Sequence, residues 1–148
     1  MKTHEVVINE EGMWFQRILA ECRLDCWDLR LCRFCEYLIP HVKGEHRGKL
    51  VWFDRPVTAI EAATLLGEQG MRAGNVRELL LVGISNPGQQ LECPIAAVGS
   101  CLPDIGVEDY RDGDMVVPML GGVAPTRGLW LMTAGYRPEH CCYLAFPE

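Results

Sequence analysis

From Glu10 to Ile39 thirty residues pass with one glycine, Gly12, and no proline, and Pro40 closes the run. A stretch free of helix breakers that ends on a proline predicts one long helix, or two with a bend, over residues 10–40. On a helical wheel Ala20, Leu24, Trp27, Leu31, Phe34 and Leu38 fall within about 80° of one another. Their alternating spacing of four and three residues is a heptad seam, with Leu24, Leu31 and Leu38 at a positions and Ala20, Trp27 and Phe34 at d. In a parallel pair Arg23 would face Asp28 of the partner. Phe15, Ile18, Leu19, Cys22, Cys26 and Leu29 form a second apolar stripe on the opposite side. A helix apolar on two sides needs two partners. The early stripe is expected to cover the chain's own sheet. Leu24, Trp27, Leu31, Phe34 and Leu38 are then the expected interface with a second copy or another protein. The competing arrangement wraps the whole helix in its own domain.

Composition changes after Pro40. Residues 41–49, HVKGEHRGK, carry two glycines and mostly polar side chains, which predicts a linker between the helical arm at 10–40 and a domain over 50–148. Within that domain Leu50–Phe53 reads as a strand. Thr58 with Glu61, and Asn75 with Glu78, have the spacing of capping boxes, so two short helices should start there and run to about Glu68 and Ile84. Pro94–Gly99, Met115–Leu120, Leu129–Thr133 and Cys142–Phe146 are short apolar runs between Gly, Pro and Asp, and read as strands. Pro118 predicts an edge or a bulge in its strand. The expected class is α+β: a long N-terminal helix, then two short helices on one face of an antiparallel sheet of four to five strands.

Charge and motifs exclude several function classes. Net charge is −6 and the fourteen Lys and Arg are scattered, so the footprint of a phosphate-binding surface is missing and no nucleic acid is expected. No run reaches eighteen apolar residues and the start, MKTHEVVINEEG, is polar, so neither a membrane span nor a signal peptide is expected and the protein is read as cytoplasmic. The eight cysteines are then read as reduced thiols, mostly buried as small hydrophobes. Cys32 and Cys35, followed by His41 and His46, approach the spacing of a zinc knuckle. An unbroken helix would carry the two thiols away from the histidines, so no metal and no cofactor is expected. Cys141 and Cys142 beside His140 raise a redox or nucleophile reading, against which stands one inward and one outward strand residue. Asp104, Glu108, Asp109, Asp112 and Asp114 crowd one loop without the spacing of an EF-hand, and read as a solvated acidic loop. Glycine-rich dinucleotide and phosphate loops, H-E-x-x-H and a nucleophile-elbow serine are absent.

Gly70–Leu80 (GMRAGNVRELL), Pro94–Ser100 (PIAAVGS), Val117–Leu120 (VPML), Leu129–Leu131 (LWL) and Tyr143–Phe146 (YLAF) form an ordered set of motifs. On these, residues 58–148 resemble a group of small uncharacterised bacterial proteins with the pattern G-Y-R-P-A-T-x-x-E-L-L, P-I-V-A-L-G-S, V-P-Y-L and Y-R-F-L-A-V. The resemblance implies no activity and no catalytic residue; such proteins often travel on mobile gene cassettes. The order of strand, two capped helices, glycine-rich excursion and closing strand is also similar to the C-type-lectin-like fold, which implies pairing of Leu50–Phe53 with Cys142–Phe146. The Glu-Pro-Asn or Gln-Pro-Asp loop and the Trp-Asn-Asp triplet of its sugar-binding members are missing here.

Two functions are expected from these readings. The first is a non-enzymatic interaction protein that forms a homodimer, or docks on another protein, through its N-terminal helix. The alternative is a small enzyme or small-ligand sensor with a pocket at the C-terminal sheet, where His140 or a cysteine meets a carboxylate. A zinc-stabilised adaptor is the third.

Overall fold

The computed structural model describes residues 1–28, 42–103, 115–123 and 126–148, and in it the chain opens on a strand rather than a helix. β1 (Lys2–Glu10) runs antiparallel to β3 (Gly44–Trp52), with Lys2 opposite Trp52 and Glu10 opposite Gly44. Side chains alternate along β1, so Val6, Ile8 and Glu10 turn inward. Residues 44–49, which composition marks as linker, are therefore strand. They are held by backbone hydrogen bonds, which need no apolar side chains.

α1 (Phe15–Glu21) is two turns long, and the long helix over 10–40 does not form. Arg23 takes φ 52°, a left-handed backbone that ends the helical path. Long-range bonds fix the break. The Arg127 guanidinium donates to the Cys22 carbonyl at 2.7 Å, the Asp25 N–H donates to the Arg127 carbonyl at 2.8 Å, and the Arg127 N–H donates to Asp25 Oδ2 at 2.7 Å. β2 (Cys26–Trp27) then pairs in parallel with β8 (Thr126–Thr133). Leu24 and Trp27 thus leave the helix, and the heptad seam does not form through them. Leu31, Phe34 and Leu38 lie outside the described residues. Of the second stripe Phe15, Ile18 and Cys22 are buried and Leu19 is half-buried against them, whereas Cys26 is exposed in β2 and Leu29 lies outside the described residues.

The remaining elements are α2 (Ala59–Glu68), β4 (Met71–Ala73), α3 (Val76–Ser85), α4 (Gln89–Glu92), β5 (Ile95–Ala96), β6 (Leu102–Pro103), β7 (Met115–Val123) and β9 (Cys142–Pro147). The expected antiparallel sheet of four to five strands is replaced by a single mixed sheet. Its described order is β1-β3-β9-β5-β7-β8-β2, with β4 beside β9 and β6 beside β7; β5/β9 and β2/β8 are parallel. Both capping boxes are formed: Thr58 and Asn75 accept from the N–H of Glu61 and Glu78, whose carboxylates reach back to the cap N–H groups.

Helices cover both faces of the sheet, not one. Along β9, Cys142, Leu144 and Phe146 join the core under α1 and α3, while Tyr143, Ala145 and the preceding Cys141 join the core against α2. β9 is central, so the chain runs apolar on both sides and both cysteines are buried. Pro118 sits at neither an edge nor a bulge: β7 and β8 stay in register from Val116 opposite Thr133 to Val123 opposite Thr126. Its carbonyl accepts from the Ala97 N–H at 3.0 Å, on the side where β5 gives way to β6, so the missing N–H falls between two short strands. Among the described residues no helix is long and apolar enough to cross a membrane.

Candidate functional site

Cys93 closes α4 in extended conformation, and Pro94 leads directly into β5. The Cys142 N–H donates to the Pro94 carbonyl at 2.9 Å, which starts the parallel pairing of Ile95 with Cys142. Residues two apart in an extended chain share a face, so Cys93 projects on the side of Ile95, where Cys142 also projects. All three belong to the same core cluster, Cys93 at its margin. Both sulfurs lie 3.5 Å from the Pro94 carbonyl oxygen.

Two donors converge on the Cys93 sulfur. Trp52 Nε1 donates at 3.3 Å, and the Cys142 thiol, on the Pro94 carbonyl at 3.5 Å, is placed to turn to it when it is ionised. A hydrogen bond to an anion is stronger than one to a neutral carbonyl, so the thiolate outcompetes Pro94 for the Cys142 proton. The Cys142 bond is the largest influence. With Trp52 and the nearby His140 it overrides partial burial and pushes the Cys93 thiol down to about 6. Cys142 moves the opposite way, above the ordinary thiol range, first because it donates to Cys93 and then because it is buried. Burial pushes Cys141 up to about 12. One thiolate flanked by two neutral thiols is the result, and the thiolate is the nucleophilic form of cysteine.

This sulfur opens on a cavity of about 520 Å³. Trp52, Phe53 and Tyr143 supply its aromatic surface, Lys2, His4, Arg55 and His140 its basic groups, and Asp54, Glu92 and Glu139 its carboxylates. The Phe53 and Tyr143 rings stand 5.4 Å apart, and the Tyr143 hydroxyl donates to the Val57 carbonyl at 3.1 Å, which fixes that wall. Lys2 Nζ lies 4.9 Å from the centre of the Trp52 ring. The volume and the mix of apolar surface with a few polar groups are those of a small-molecule site.

The residues singled out by sequence are dispersed. Leu24 is half-buried against the core and Trp27 is exposed; with Phe15, Leu19 and Ala20 they line a separate trough of about 480 Å³. Cys32, Cys35 and His41 lie outside the described residues, as does the acidic loop at 104–114. His46 sits in β3 with Nε2 2.5 Å from the Val42 carbonyl. Among the described residues no group of three or more His, Cys, Asp and Glu is placed to hold a metal ion. Cys93 and Trp52 are the residues that sequence reasoning passed over. Their signal was a pair of strand starts, Cys93-Pro94 and His140-Cys141-Cys142, which becomes a site only once β5 is known to pair with β9. Compared with protein-family models, curated proteins and solved structures, the chain gives no significant match in any of the three.

Proposed function

We propose that this protein binds a small electrophilic molecule in the cavity beside β9 and uses Cys93 as a thiolate nucleophile toward it. The observation that carries the reading is the Trp52 N–H donating at 3.3 Å to a sulfur that lines a cavity of about 520 Å³ and shares the Pro94 carbonyl with the Cys142 thiol. Donors held in place stabilise the anion without reorganising, and the half-buried position leaves the sulfur reachable. In the reaction the sulfur lone pair forms a bond to the electrophilic atom of the ligand, whose leaving group departs with the electron pair. His140, on the cavity wall, is a candidate to protonate that group.

Alkylation of the reduced protein with iodoacetamide near pH 6.5, followed by peptide mapping, tests this. Cys93 should be labelled several-fold faster than Cys26, although Cys26 is the more exposed, because at that pH the thiolate fraction outweighs the lower intrinsic nucleophilicity of a low-pKa thiol. Labelling of Cys26 ahead of Cys93 would sink the reading.

Self-association is a second reading, favoured by the exposure of Trp14 (83%) and by the apolar trough that Leu24 and Trp27 line. Sedimentation equilibrium should show a dimer in the wild type and a shift toward monomer in Trp27→Glu. A monomeric wild type would eliminate it.

A further inference from the structure

We propose that Cys93 and Cys142 form a dithiol/disulfide couple that reduces low-molecular-weight disulfides with zwitterionic ends, Cys93 attacking and Cys142 resolving. The inference rests on Cys93 being the reactive thiol. Three observations carry it. Cys93, just before β5, and Cys142, at the start of the parallel β9, project on one face, and both sulfurs stand 3.5 Å from the same carbonyl oxygen, that of Pro94. Cys141 also lines the cavity, but it belongs to the core cluster on the opposite face and its sulfur donates to the Cys142 carbonyl at 3.3 Å rather than to the Pro94 carbonyl that Cys93 and Cys142 share. The cavity at Cys93 is far larger than a peroxide needs and presents ammonium-type and carboxylate groups together around aromatic surface, a lining that complements a molecule bearing both charges.

The chemistry closes without a further reagent. The Cys93 thiolate attacks one sulfur of the ligand RSSR, an S–S bond forms between Cys93 and RS, the ligand's own S–S bond breaks, and RS⁻ leaves with the electron pair. Cys93 is now neutral. The hydrogen bond that chiefly held the Cys142 proton has then lost its anionic acceptor, and the Coulomb repulsion from Cys93 is gone with it. The Cys142 sulfur attacks the Cys93 sulfur, forms the intramolecular disulfide and expels the second RS⁻. The Cys142 proton and one from solvent give two RSH. Two electrons have moved from the protein dithiol to the ligand disulfide. His140 is exposed on the cavity wall, and the departing thiolates take their protons there from water.

The test uses the full reduced chain and oxidised glutathione as the probe, followed by intact mass and by peptide mapping under non-reducing conditions. The wild type should pass through a single glutathionyl adduct and end with a Cys93–Cys142 cross-linked peptide, releasing two glutathiones per disulfide consumed. Cys142→Ala should stop at the Cys93 adduct, releasing one, with an adduct lifetime at least about tenfold longer than in the wild type. Cys93→Ser should give neither product. A wild type that keeps a stable Cys93 adduct, or that cross-links Cys93 to a cysteine other than Cys142, would overturn the couple. If iodoacetamide labels Cys93 selectively while oxidised glutathione yields no cross-link, the couple fails and the nucleophile reading stands. If Cys93 reacts with neither reagent, both fall.

Discussion

Raising the pH from 9 to 12 is expected to unfold the protein. Cys22 and Cys141 are both buried, the Cys22 sulfur donating to the Leu80 carbonyl at 3.0 Å and the Cys141 sulfur to the Cys142 carbonyl at 3.3 Å. Burial pushes each thiol up to about 12 from the ordinary value of 9.0 that the unfolded chain recovers. Both folded values are raised, so the contribution of these groups is fully present below pH 9 and is lost as pH rises from 9 through 12. Over that window the unfolded state releases protons that the folded state retains. At about 1.4 kcal/mol per pH unit, three units on two thiols forfeit on the order of 8 kcal/mol by pH 12, which is comparable to the stability of a whole domain. Urea unfolding under reducing conditions, stepped from pH 8 to pH 11, measures the fall. In Cys22→Ala it should be shallower but not flat, because Cys141, Cys142 and Tyr143 keep raised values. An equal slope in wild type and variant would show that Cys22 is not the proton-retaining group its burial makes it.

Glu10→Ala is expected to lower the unfolding free energy by about 3–5 kcal/mol. Glu10 and Arg77 are each 2% exposed, and the guanidinium grips the carboxylate with both Nε to Oε2 (2.7 Å) and Nη2 to Oε1 (2.5 Å), while the Gly12 N–H adds a third bond at 2.8 Å. This pair ties the end of β1 to α3. Removing the carboxylate leaves a guanidinium buried without its counter-charge, which costs more than the intact pair contributes. The double variant Glu10→Ala with Arg77→Met should therefore recover much of the loss. Denaturant midpoints of the three proteins decide it, and a Glu10→Ala loss below about 1 kcal/mol would contradict the burial of the pair.

What was readable in the sequence was local. Thr58 with Glu61 and Asn75 with Glu78 specify helix starts through bonds that span three residues, and both helices begin there. The N-terminal reading failed because its decisive interactions are remote. The 3.6-residue period through Leu24 and Trp27 is real, yet Arg127, more than a hundred residues away, captures the Cys22 carbonyl and turns the chain into β2. β1 and the polar half of β3 escaped notice for a related reason: Glu10 looks like surface until Arg77 is placed beside it, and His46, Arg47 and Lys49 look like linker until β1 pairs along them. The candidate site was hidden the same way. His140, Cys141 and Cys142 were conspicuous, but the sulfur they serve is Cys93, brought to them by β5, whose apolar run is legible as a strand while its parallel pairing with β9 is not. The indole that completes the environment, Trp52, arrives from β3 and was indistinguishable from a core aromatic.

The measurement closest to the central claim is the ultraviolet thiolate absorbance of the reduced wild type minus that of Cys93→Ser, titrated from about pH 4 to about pH 10. Cys22, Cys141 and Cys142 stay protonated through the acid half of that range, their values being raised by burial or, for Cys142, chiefly by its bond to Cys93. The difference curve should rise in one step with a midpoint near pH 6, the value to which the Cys142 and Trp52 donors bring the Cys93 thiol. A midpoint near the ordinary thiol value of 9.0 would contradict the account, since it would mean that neither donor engages the sulfur and that the cavity holds no nucleophile.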